Sequence, residues 1–166
     1  MEGKILEFLA WLEASPLSVW VRESVVGFPL TLSLHALGMA FLVGVHFALD
    51  LRVMGFAPKL PVHLITKFYP LMWVSFVVAL VSGLMLLLAY PAKGLTNYVF
   101  YLKMLLIASA FMVGRSLTRT ILIPESEISS RQKMLAILSI MLWVSVIVAG
   151  RFLAYTYTIL LTTDYY

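Results

Sequence analysis

The chain has 166 residues, of which 62% are hydrophobic and 12% charged, with a formal net charge of +4. A soluble domain is about half apolar and about a quarter charged, so this much apolar surface must face lipid, and the composition is that of an integral membrane protein. The absence of cysteine excludes disulfides, iron–sulfur clusters and thiolate metal sites, and the modest positive charge carries no nucleic-acid signal.

The N-terminal stretch "MEGKILEFLAWLEASPLSVWVRE" interrupts its apolar residues with Glu2, Glu7, Glu13 and Glu23. A cleavable signal peptide would have a basic start and an unbroken apolar middle. Ile5, Phe8, Leu9 and Leu12 recur at helical spacing, and Trp11 and Trp20 are residues of membrane interfaces. Residues 1–24 therefore read as a short amphipathic helix lying at the membrane surface. Residues 25–166 hold four apolar spans, at about 25–49, 68–90, 98–121 and 134–162. Each exceeds the roughly 20 residues needed to cross about 30 Å of hydrocarbon. Pro29 and Pro70 fall in first turns, where proline is tolerated, and "YPAKGLTNY" and "IPESEISSRQK" are connections with breaker residues. The expected fold class is all-α, an integral membrane four-helix bundle with an N-terminal interfacial helix.

Small residues recur every fourth position: Ala36, Ala40, Gly44 and Ala48 in span one, Ser75, Ala79 and Gly83 in span two, Ala110, Gly114 and Thr118 in span three. Such stripes let helix backbones approach closely. Arg52, Lys59, Lys67, Arg115, Arg119, Arg131 and Lys133 belong to one side, against Lys4, Arg22 and Lys93 on the other. This asymmetry predicts that the two basic loops are cytoplasmic and both termini periplasmic.

The polar residues within the spans are the candidates for function. His35 and His46 are eleven residues apart on span one. That interval advances a helix by about 1100° and roughly 16.5 Å, placing both imidazoles on nearly one face at two depths. Two stacked histidines are how membrane b-type cytochromes hold two haems, with imidazole as an iron ligand and methionine as an alternative partner. At the depth of His35, span two offers Met85, span three Lys103 and Met104, and span four Arg151 and Tyr155. That layer contains no Asp or Glu, so its cations call for an outside negative group, such as a haem propionate, a lipid phosphate or the dipole of a quinone carbonyl. Plainer roles stand beside these: a histidine as an interhelical hydrogen-bonding group, Lys103 snorkelling to the surface, methionines filling the core. Met39, one turn from His35, brings a weak copper(I) alternative. Nearer the basic loops lie His46, Asp50, Arg52 and Arg115, with Asp50 expected to pair with Arg52 or Arg115. His63, in the loop "FAPKLPVHLITK", is either a solvated residue or, if the loop folds back, a ligand opposite His46.

"LHALGMAFLVGVHFALDLRVMG", followed by "SGLMLLLAY" and "NYVFYLKMLLI", resembles a bacterial family of small four-span membrane proteins catalogued only as a domain of unknown function. The matching positions are His35, Gly44, Asp50, Leu51, Arg52, Gly55, Gly83, Phe100 and Lys103, within residues 25–115. The architecture is also similar, more distantly, to the copper-resistance D family and to transmembrane b-type cytochromes, whose four-histidine pattern this chain lacks.

No Ser-His-Asp set, phosphate-cradling glycine loop or carboxylate pair is present, so a non-catalytic role is expected. The leading expectation is a haem-b-binding subunit of the bacterial inner membrane that carries electrons in or beside a larger redox complex. Its cofactor contacts would be His35, His46, Lys103 and Arg151, and its metal ligands would come from His35, His46, His63, Met85 and Met104. The bilayer, other membrane or periplasmic redox subunits and quinone are the expected partners. A cofactor-free structural or assembly subunit is the first alternative, and copper handling or transport the second.

Overall fold

The computed structural model describes residues 2–56, 58–121 and 128–156, and among them the regular structure is entirely helical. Eight helices follow in order: α1 (Glu2–Glu13), α2 (Pro16–Glu23), α3 (Gly27–Met54), α4 (Val62–Thr66), α5 (Tyr69–Ala89), α6 (Pro91–Leu95), α7 (Tyr98–Ile121) and α8 (Ser130–Tyr155). Four of them, α3, α5, α7 and α8, are long and apolar enough to cross a membrane, and the chain is a multi-pass membrane protein.

The span boundaries follow from local chemistry. α3 continues past the expected 49 to Met54 because nothing breaks it before Gly55, which takes the left-handed conformation (φ +98°). There the Phe56 N–H donates to Leu51 O at 3.1 Å, a glycine-terminated helix end. α8 starts at Ser130, four residues before the expected start. Ser129 and Gln132 form a reciprocal capping box, and the Gln132 amide also donates to Thr120 O at the end of α7. The expected tail of span four, 157–162, lies outside the described residues.

The N-terminal segment differs from the single helix expected. It breaks at Ala14–Ser15, where Ser15 accepts from the Ser18 N–H and Pro16 occupies the first turn of α2. α1 packs on α6, and α2 on α5 and α3. Together with α6 they cover one end of the bundle, called here the capped end. The other, basic end carries α4 and the connection from α7 to α8.

α3 packs against both α5 and α8, and α8 against α7, whereas the α5 and α7 backbones scarcely meet. The spans thus form a curled row, α5–α3–α8–α7, with an open seam between its edges. At the α3–α5 crossing, a Cβ on Gly38 would lie 2.8 Å from Ala79 N and 2.9 Å from Ser75 O, so only glycine permits this approach. The main core joins Leu42, Val43, Val45, Met72, Ala110, Trp143 and Val146, and a smaller one at the basic end joins Val53, Leu117 and Ala136.

Candidate functional site

His46 stands at the centre of the bundle. Leu42, Val45, His46, Leu49, Asp50 and Val53 form the buried stripe of α3, and Ala136, Ser139, Trp143 and Val146 that of α8. The helices run antiparallel, so His46 meets Trp143 (ring centroids 4.9 Å apart), with Phe111 of α7 edge-on at 5.8 Å. His46 Nδ1 lies 2.9 Å from Leu42 O. A carbonyl only accepts, so Nδ1 carries the proton, and Nε2 of the neutral ring keeps its lone pair. A Cβ on Gly114 would lie 3.2 Å from Nε2, so glycine there leaves that nitrogen room.

His46 lines a cleft of about 490 Å³ along the α5–α7 seam, within the range of sites for cofactor-sized molecules. Tyr69, Met72, Trp73 and Phe76 line it from α5, and Phe111, Met112, Gly114, Arg115, Thr118 and Arg119 from α7. Side chains bridge the seam where backbones do not: Phe111 stacks on Trp73 and meets Phe76 edge-on, and Tyr69 Oη lies 2.8 Å from Thr118 Oγ1. Met72 and Met112 are therefore the thioethers that share a cavity with a histidine. The sequence singled out Met85 and Met104 instead, and Met104 lies on the exposed surface of α7.

One turn beyond His46, Asp50 is 1% exposed. The expected ion pair is absent: no Lys or Arg bridges Asp50 among the described residues, and Arg52 instead donates its Nε–H to Leu60 O. Ser139 lies beside Asp50; among the described residues, Asp50 Oδ2, Ser139 Oγ and Trp143 Nε1 are buried and without hydrogen-bond partners.

Nearer the capped end, His35 repeats the pattern of His46. Its Nδ1 lies 2.9 Å from Ala79 O and 3.3 Å from Ser82 Oγ, and its ring rests on Gly83 of α5. Lys103 reaches inward between α7 and α8: a Cβ on Gly150 would lie 3.6 Å from its Nζ. Two of the expected residues of this layer thus turn into the bundle, His35 onto α5 and Lys103 onto α8. Arg151 does not join them, because it lies on the exposed face of α8. Met85 is half-buried. His63 is exposed on α4. That loop does fold back on α3, but its Leu64 and Ile65 line a hollow with Ala40, Gly44 and Ala48, and His63 is not presented to His46. Among the described residues no three His, Asp or Glu side chains converge to hold a metal.

The capped end holds polar residues that the sequence reading counted only as loop charges or not at all. Arg22 Nη1 donates to Ala89 O (3.1 Å), Glu13 O (3.3 Å) and Ser18 Oγ (3.2 Å), and lies 3.6 Å from the Glu13 carboxylate. Burial pushes the Glu13 carboxyl above its ordinary 4.5, against the opposing pull of Arg22. Asn97 caps the start of α7 through the Val99 N–H and donates to Thr156 O at 2.8 Å, and Lys93 donates to Ala154 O. A cation near the end of a helix, free to reach carbonyls, was the signal for Arg22 and Lys93.

A family model described as a family of unknown function (DUF6644) matches residues 8–156. No curated protein and no solved structure matches the chain.

Proposed function

The chain belongs to that family of unknown function, and from this premise we propose that it is a haem-b-binding membrane subunit carrying electrons in or beside a larger redox complex. The observation that carries the reading is shared by both intramembrane histidines. Each spends Nδ1–H on a backbone carbonyl, Leu42 O for His46 and Ala79 O for His35, and so keeps Nε2 for an iron. A second hydrogen bond that fixes tautomer and ring orientation is the usual support of a metal-bound imidazole.

At the His46 site, Met72 and Met112 would offer thioethers to the iron, and Trp73, Phe76 and Phe111 would form an aromatic wall suited to a flat macrocycle. Nearer the capped end, Lys103, turned inward onto Gly150, would offer its positive charge to a propionate. The bound group would supply one-electron chemistry, and the chain would hold it, orient it and exclude water. The excess of cations at the basic end supports a cytoplasmic placement of that end in a bacterial inner membrane, with both termini periplasmic.

The test is a reduced-minus-oxidised visible spectrum of the purified protein. A b-type signal is expected, with His46→Ala and His35→Ala each removing or shifting part of it. A colourless protein that remains folded would overturn the reading. One observation favours a cofactor-free scaffold instead: His46 is packed between Phe111 and Trp143 as a core residue would be. A colourless sample that co-purifies with other membrane subunits would select that alternative.

A further inference from the structure

The seam between α5 and α7 opens to the side of the bundle, toward whatever surrounds the spans. Its aromatic wall is Trp73, Phe76 and Phe111, and the hydroxyls of Tyr69 and Thr118 are tied to each other. Arg115 and Arg119 line the same cleft from α7, one helical turn apart, and both are exposed. Neither has an acidic or carbonyl partner among the described residues, and no Asp or Glu lines the cleft. A cleft with an apolar aromatic wall and two exposed guanidiniums beside it is complementary to a molecule that is apolar along its body and anionic at one end. The guanidinium fork matches the two oxygens of a carboxylate. A space of about 490 Å³ suits one flat or single-chain body.

We propose that the α5–α7 cleft binds an amphipathic carboxylate entering sideways from the bilayer, its apolar body against Trp73, Phe76 and Phe111 and its carboxylate held by Arg115 and Arg119. The site is the cleft that the haem reading also uses, but it rests on Arg115 and Arg119 rather than on iron ligation, so either reading can fail without the other. A haem propionate and a free fatty acid are two sources of the same chemistry.

The experiment uses the full-length protein in a zwitterionic detergent, with dibromostearic acid and hemin as separate probes and tryptophan quenching as the readout. Saturable quenching by at least one probe is expected. The R115Q/R119Q double variant should weaken it by about tenfold or more, the loss of a charged hydrogen-bonded contact. The methyl ester of the same probe should bind wild type no better than the acid binds the double variant. Trp73→Phe should remove the largest share of the quenching by dibromostearate, whose bromines act only at short range. Circular dichroism and a monodisperse elution profile establish that the double variant is folded. Charge-dependent binding of dibromostearate alone identifies a lipid acid as the occupant, and of hemin alone identifies a haem. Charge-dependent hemin binding whose spectrum is unchanged in His46→Ala supports the cleft while removing His46 as an iron ligand. The proposal is overturned if neither acid binds saturably, or if the folded double variant binds both as tightly as wild type.

Discussion

Asp50 Oδ2, Ser139 Oγ and Trp143 Nε1 are buried with no hydrogen-bond partner, and an unmade bond of this kind costs about 1–3 kcal/mol. All twelve Lys and Arg residues fall among the described residues, yet none pairs with Asp50. Such a carboxyl does not hold the bundle together. Ser139→Ala and Asp50→Leu are expected to leave thermal stability in detergent unchanged or higher. Trp143→Ala, which empties a fully buried site, should cost about 3–5 kcal/mol. Unfolding of Asp50→Leu would show instead that the carboxyl carries a structural bond. Glu13 is the buried carboxyl of α1. Its folded pKa is raised above 4.5, so the folded state holds that proton more tightly than the unfolded chain. The resulting stability is complete below the unfolded value and is lost as pH rises through the folded one. Glu13→Gln should therefore raise Tm at neutral pH and change it little at about pH 4; a gain of the same size at both would contradict this. Residue depth was legible in the sequence, and it pointed to His35 and Lys103, which both turn inward. Rotation was applied only to the two histidines of span one, and it decides the rest. Met104 follows Lys103, and Arg151 follows Gly150, by about 100° of helix turn, so where Lys103 and Gly150 face inward their neighbours cannot.

The helices themselves were legible because length, hydropathy and breakers set them: the expected 98–121 coincides with α7, and 68–90 differs from α5 by one residue at each end. Which face of a span turns inward was much less so. In a soluble helix the polar face sets the rotation, but a span apolar on all sides has no such contrast. The α3 stripe of Ala36, Ala40, Gly44 and Ala48 accordingly reads as a packing face, yet it is exposed, with α4 beside an open hollow along part of it. The close crossing is made by Gly38, while Ser75 and Ala79 of α5 and Ala110 and Gly114 of α7 do face inward. Gly38→Ala is expected to destabilise by about 1–3 kcal/mol, since its methyl group would meet backbone atoms that cannot yield. Gly44→Ala should cost nothing of the kind, because nothing lies within 4 Å of the added carbon. Equal thermal shifts for the two would refute the assigned face. The break between α1 and α2 was written plainly in Ser15-Pro16, a cap followed by a first-turn proline; the apolar periodicity running through it concealed the stop.

The number of spans was fixed by hydropathy, but their lateral order was not, because every span is apolar enough to neighbour any other. The seam exists because α5 and α7 are the two edges of the row rather than a packed pair. The proposed orientation is open to direct measurement. The chain lacks cysteine, so Lys4→Cys and Lys133→Cys each introduce a single thiol. A membrane-impermeant maleimide added to spheroplasts should label the first and spare the second; labelling of both from outside would overturn the orientation. The clamp made by Arg22 also bears on the order in which the protein is made. Arg22 leaves the ribosome first, but its acceptor Ala89 O is 67 residues further along, at the far end of the second span. α2 can meet α3 as soon as the first span is made, but the Arg22 clamp cannot close until the second span has crossed the bilayer. A second closure comes later still, when Lys93 and Asn97 receive Ala154 and Thr156 from the end of α8, 61 and 59 residues downstream. The capped end is sealed in two stages, each timed by the completion of a helical hairpin.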